Sequence, residues 1–205
     1  MADPLDPPAW PSYQVGPHDS VFALGVASVN YARLEFALGG VFATVIGLAY
    51  ELTWALLPKI GNETRVALLE QALCGRDWPH DRKERISHFI DAFKILAENR
   101  NLLMHSNFTA GVKDQITLFK YNRAGKTILA EVTLEELRQI ADDMDTYFSY
   151  GMSITNMIGL EFLNLKTITG EIYPWPDKPP LPRKLDYKSQ PYHPNRPAGR
   201  RRRKE

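Results

Sequence analysis

Proline decides where this chain can be helical. Of its 205 residues 15 are proline, and they gather toward the ends. Pro4, Pro7, Pro8, Pro11 and Pro17 open the chain, and from Pro174 onward it is again dense in proline. The pyrrolidine ring removes a backbone donor and clashes with the preceding turn, so neither end supports a regular helix. Residues 1–18 read as a flexible leader. Residues 169–205 mix proline with charge, lack an apolar period, and read as a disordered, extended basic tail. Residues 19–168 are long enough for one domain with its own core.

Apolar spacing inside that domain is mostly helical. Asp19 or Ser20 is placed to cap a first helix, with Phe22, Val26, Val29, Phe36 and Phe42 at helical spacing. Gly39 and Gly40 either kink it or admit a close neighbour. The stretch from Phe36 to Tyr50 is uncharged but bracketed by Glu35 and Glu51. A span needs about 20 apolar residues, so this reads as a buried core helix without membrane insertion. A membrane-associated protein built on residues 36–57 is the lesser alternative.

A second helix from Glu51 to Leu57 stops at Pro58. Asn62 is expected to cap a third, which Gly75 ends, with Cys74 as a small buried residue. A strong helix follows from Asp81 to His105, with Ile86, Phe89, Ile90, Phe93, Ala97 and Met104 on its apolar face. The period then changes: ITLFKY and TILAEV, joined by NRAGK, read as a hairpin. Thr133 and Glu136 form a capping box for a last helix toward Leu163, with Leu137, Ile140, Met144, Tyr147, Phe148, Ile154 and Ile158 as core positions. The expected class is all-α: an antiparallel helical bundle with a small β-hairpin inserted before the last long helix.

Charge and composition exclude several function classes. The net charge of +1 gives the whole molecule no pull toward nucleic acid or acidic membranes. One cysteine allows no internal disulfide, and no Cys/His cluster has metal-ligand spacing. There is no glycine-rich phosphate loop, so no cofactor and no metal is expected. The one strong charge run is Arg200, Arg201, Arg202, Arg203 and Lys204, which either binds phosphates nonspecifically or is a solvated end. Tyr187, Tyr192 and His193 stand near it and offer stacking surfaces. The segment KPPLPRK, residues 178–184, reads as a polyproline spacer.

Chemistry concentrates in AENRNLLMHSNF, residues 97–108. Asn101 and His105 are four apart and share a helix face, with Arg100 beside them nearer the apolar stripe. An Arg there requires a partner, because an unpaired buried charge is costly. Arg100-Asn101-Leu102-Leu103-Met104-His105 resembles the signature of the HEPN family: an arginine, a polar residue and, after a short spacer, a histidine. The looser pattern also fits Arg82 and His88. There, however, Lys83 follows the arginine and the pair lies near the helix start.

The resemblance implies a helical bundle, a homodimer whose two Arg/His pairs face one cleft, and metal-independent RNA cleavage in the cytoplasm. It further implies a toxin–antitoxin or anti-phage setting with an antitoxin or other regulatory partner. Arg100 would hold the phosphate, His105 would move the proton, and Asn101 would orient His105 or bond the phosphate. Where antitoxin-modified members carry a tyrosine two residues after the histidine, this chain has Asn107. The alternatives are a noncatalytic HEPN-like module binding nucleic acid, a nucleotide or a protein, and a purely structural pair at a helix end. Glu35 either faces the Arg100 site or is a surface charge.

Overall fold

The computed structural model describes residues 16–110, 115–121, 126–163 and 173–191; the run Arg200 to Lys204, Tyr192 and His193 lie outside them. Five helices and one small sheet follow in order: α1 (His18–Ile46), α2 (Tyr50–Leu56) with a 3-10 turn over Leu57–Lys59, α3 (Asn62–Gly75), α4 (His80–Met104), β1 (Asn107–Ala110), β2 (Gln115–Tyr121), β3 (Lys126–Thr133), α5 (Leu134–Phe162) and β4 (Lys188–Pro191). The described chain is therefore mainly helical.

Helix boundaries follow local chemistry. α1 starts directly after Pro17, whose carbonyl accepts from Val21 N at 3.0 Å, with no side-chain cap from Asp19 or Ser20. It ends at Gly47, whose φ of 78° lets its N–H turn back to the Ala43 carbonyl. The capping box at the head of α5 is complete: Glu136 N donates to Thr133 Oγ1 at 3.1 Å and Thr133 N to Glu136 Oε2 at 3.0 Å. Such a cap contributes about 1 kcal/mol. Asn62 does not cap α3. It is the first helical residue, Gly61 takes the cap position, and the Asn62 amide donates to Glu35 instead.

The bundle is not antiparallel throughout. Asn30 donates to the Ala141 carbonyl, Arg33 pairs with Asp145, Ala37 lies against Gly151 and Gly40 against Thr155. Both numbers rise together, so α1 and α5 run parallel. α3 runs the same way, as Glu35 meets Asn62 and Val45 accepts from Arg76. Among the long helices it is α4 that opposes them: Arg82 pairs with Glu161, while His88 reaches Tyr147. The reversal through α2 and the 3-10 turn brings the chain back beside the middle of α1, which makes this order possible.

Small residues permit the close α1–α5 contact. A Cβ on Gly151 would sit 2.5 Å from Phe89 and 3.1 Å from Ala37, and one on Gly40 would sit 3.1 Å from Thr155 Oγ1. The glycine pair in α1 therefore serves packing, with Gly39 against Leu57. Ala27, Leu34, Ala37, Leu38, Val41 and Val45 of α1 are fully buried. Of the large apolar positions singled out there Phe42 is buried, whereas Phe22 is 68% and Val29 63% exposed, and Phe36 is exposed too. α1 passes for a membrane span by length and composition, yet its aliphatic face is covered by the other helices. Cys74 is exposed, because its neighbour Leu73 takes the inward position on α3.

The hairpin is the centre of a four-stranded antiparallel sheet in the order β1-β2-β3-β4. Ile116 and Leu118 of β2 and Ala130 and Val132 of β3 face the core, with Ile116 opposite Val132 and Leu118 opposite Ala130. The outer strands are short, and β4 comes from the proline-rich segment, with Ile128 opposite Ser189. Residues 173–187, which the sequence reads as disordered tail, form an extended strap across α4 and α5. Asn99, only 1% exposed, clamps it by donating to the Arg183 carbonyl and accepting from Leu185 N, both at 2.9 Å. Prolines leave carbonyls unpaired, and the Pro176, Pro179 and Pro180 carbonyls accept from Arg85, His88 and Tyr147.

Candidate functional site

The last turn of α4 carries the site. Asn99, Leu102 and Leu103 face inward, so Asn101 and His105 project to solvent, and Arg100 is half-buried. Arg100 Nη1 lies 3.0 Å from His105 Nε2 and 3.2 Å from Asn101 Oδ1. A guanidinium only donates, so in this contact His105 Nε2 is the acceptor. The three residues singled out in the sequence are therefore brought together by contact.

Arg100 is held from below by an aromatic stack. Its Cζ stands 5.2 Å from the centroid of the Tyr31 ring, and Tyr31 rests on Phe93 with centroids 6.2 Å apart. Cation–π attraction of this kind contributes about 0.5–2 kcal/mol and fixes the plane of the guanidinium. Burial pushes the Tyr31 hydroxyl up to about 12, Glu35 adds to the rise, and Asn62 and Arg100 oppose it. Tyr31 thus stays a neutral platform at any ordinary pH.

Glu35 does not pair with Arg100. It accepts from Asn62, whose own Oδ1 accepts from Arg65 Nη1 at 3.1 Å. Burial lowers the Arg65 guanidinium and the nearby Glu35 raises it. Glu35 and Arg100 nevertheless line the same groove, about 600 Å³, between α1, α3 and α4. Glu35 is linked to Tyr31 beneath Arg100 by Asn62, which bonds both.

Sequence reasoning missed two residues here. Tyr31 lies one helical turn before Glu35, so the two share a face of α1, which is the signal that could have found it. Lys120 Nζ reaches the Asn101 carbonyl at 3.5 Å. It follows the core residues Ile116 and Leu118 on the same face of β2, beyond the core's edge. Among the described residues no group of three His, Cys, Asp or Glu side chains is placed to hold a metal ion.

The other Arg/His pair of α4 is separated. Arg82 pairs with Glu161 at 2.9 Å, and His88 Nε2 lies 2.7 Å from the Pro179 carbonyl and 2.9 Å from Tyr147 Oη, under the strap. No protein-family model matches the chain, and no curated protein and no solved structure is significantly similar to it.

Proposed function

We propose that this protein is a metal-independent endoribonuclease of the HEPN type, acting as a homodimer in the cytoplasm, in a toxin or anti-phage defence role with a regulatory partner. The supporting observation is the 3.0 Å contact between the Arg100 guanidinium and the imidazole of His105 at a solvent-facing helix end. A phosphodiester entering there offers Arg100 a better acceptor than an imidazole, because charge-assisted bonds to phosphate are the stronger ones. Arg100 then turns to the phosphate and releases the lone pair on His105 Nε2.

That nitrogen takes the proton of a ribose 2′-hydroxyl. The 2′-oxygen attacks the adjacent phosphorus, the bond to the 5′-oxygen breaks, and a 2′,3′-cyclic phosphate forms. The leaving oxygen takes a proton from the second protomer's histidine or from water. Arg100 stabilises the added charge on the phosphoryl oxygens in the transition state. Asn101, bonded to Arg100, keeps the fork aimed.

The test is cleavage of total cellular RNA in chelator, with end analysis of the products. His105→Ala and Arg100→Ala should each lower the rate on the order of 100-fold or more. Unchanged cleavage in both variants contradicts the assignment. The second reading is a noncatalytic HEPN-like binding module, in which the Arg100 fork at the solvent-facing helix end holds an anionic ligand without acting on it. Binding of RNA or nucleotide without turnover would select it.

A further inference from the structure

The two grooves that meet at Asn101 differ in charge. The groove between α1, α3 and α4 carries four carboxylates, Glu35, Glu63, Glu70 and Glu98, against Lys94 and Arg100. Lys94 is itself paired with Glu70. On the other side of Asn101 lies a second groove of about 330 Å³, walled by α4, β2 and the strap. Leu102, Leu185 and Ile128 of β3 give it an apolar lining, beside Lys120, Lys184, Tyr187 and Glu98, the carboxylate that it shares with the first groove, so it carries two cations against one carboxylate. Lys184 is paired with Glu98. Lys120 touches only the Asn101 carbonyl and has no carboxylate partner among the described residues. Tyr187 is half exposed, with its ring between this groove and the next one along the sheet.

We propose that the strap groove is the subsite for the nucleotide next to the scissile phosphate, with Lys120 on its phosphate and Tyr187 stacked on its base. The inference rests on the ribonuclease reading and gives it a direction. A polyanion leaving Arg100 is repelled by the carboxylate-rich groove and passes over Asn101 to the unpaired ammonium of Lys120. An apolar lining with one exposed aromatic ring is what an unstacked base requires, and a ring accepts any base, so this subsite holds single strands without reading sequence. The strap is then a working wall of the site, put in place by the Asn99 clamp at its Arg183 and Leu185 backbone.

The experiment uses the full chain and a fluorescent single-stranded 2′-O-methyl oligonucleotide, which lacks the attacking hydroxyl and reports binding alone. Lys120→Ala and Tyr187→Ala should each weaken binding about tenfold, and Tyr187→Phe should keep wild-type affinity. Lys120→Ala should also reduce the slope of log affinity against log salt by about 0.7, as for one lost phosphate contact. Lys94→Ala, in the opposite groove, should bind as wild type does, and melting curves should confirm that all four variants are folded. On cleavable RNA the Lys120 and Tyr187 losses should appear in KM.

Wild-type affinity in both Lys120→Ala and Tyr187→Ala, or no binding of the oligonucleotide at all, overturns the subsite. The two readings fail differently. Binding that depends on Lys120 and Tyr187 without any cleavage of RNA removes the nuclease and keeps the subsite. Cleavage that depends on Arg100 and His105 but not on Lys120 or Tyr187 does the reverse.

Discussion

One helix carries two arginine–histidine pairs at nearly the same spacing, and the fold uses them in opposite ways. In the first half of α4, Arg82 goes to Glu161 of α5 and His88 to the Pro179 carbonyl of the strap. Both side chains answer groups that would otherwise lie unpaired between packed elements. In the last turn, Arg100 and His105 have each other, Asn101 and an aromatic ring, and among the described residues no carboxylate pairs with them. A cation and an imidazole joined to one another at a solvent-facing edge, with no carboxylate paired to them among the described residues, leave donors to a ligand. The difference lies in what the rest of the chain lays over each pair: a strap over one, a groove beside the other.

That contrast can be broken by substitution. The largest effect is expected from Arg100→Ala. It should lower RNA cleavage on the order of 100- to 1,000-fold with little change in melting temperature, whereas Arg82→Ala should leave cleavage within about twofold. Asn99→Ala comes next. It strands a buried carbonyl and a buried N–H of the strap and should cost about 2–4 kcal/mol in denaturant unfolding, with faster amide exchange at Leu185.

Alkaline pH should follow. Burial pushes the hydroxyls of Tyr31 and Tyr150 up to about 12 from 10.0. A group whose folded value is raised contributes stability that is whole below the unfolded value and disappears as pH rises through the folded one. Unfolding titrations should therefore show stability falling between pH 10 and pH 12, by about 2 kcal/mol for each tyrosine at the upper end. Tyr147→Phe keeps the buried ring and loses the hydroxyl's bonds to the Pro179 and Pro180 carbonyls at 3.1 Å, a loss of about 1 kcal/mol. The Arg82–Glu161 pair is partly exposed, and Arg82→Ala should change unfolding by less than about 1 kcal/mol.

Local signals in the sequence carried far in some places and failed in others. α4 lies within a residue of its expected ends, the capping box at Thr133 is complete, and β2 and β3 pair across the expected turn. Each rests on a period or a cap a few residues long. The same reasoning placed Phe22, Val29 and Phe36 in the core, whereas α1 turns inward another stripe, Ala27, Leu34, Ala37, Leu38, Val41, Phe42 and Val45, with small residues where α5 approaches closely. Size alone does not say which stripe faces inward. Parallel α1 and α5 follow from the route of the connecting chain, which no local pattern encodes. The strap was illegible for a different reason. Much of its attachment runs through backbone carbonyls, beside ion pairs such as Lys178–Glu84 and Lys184–Glu98, and the residues that recognise the carbonyls, Arg85, His88, Asn99 and Tyr147, are scattered over two helices. At the site, Arg100, Asn101 and His105 were readable because they are contiguous. Tyr31 and Lys120 come from elements distant in sequence.

The most direct test sets the two histidines against each other: His105→Ala and His88→Ala, each assayed in chelator for RNA cleavage and for melting temperature. The account predicts that His105→Ala loses cleavage and melts as the wild type does, while His88→Ala melts several degrees lower and still cuts RNA below its transition. Full cleavage by His105→Ala, or loss of cleavage in a folded His88→Ala, would contradict it.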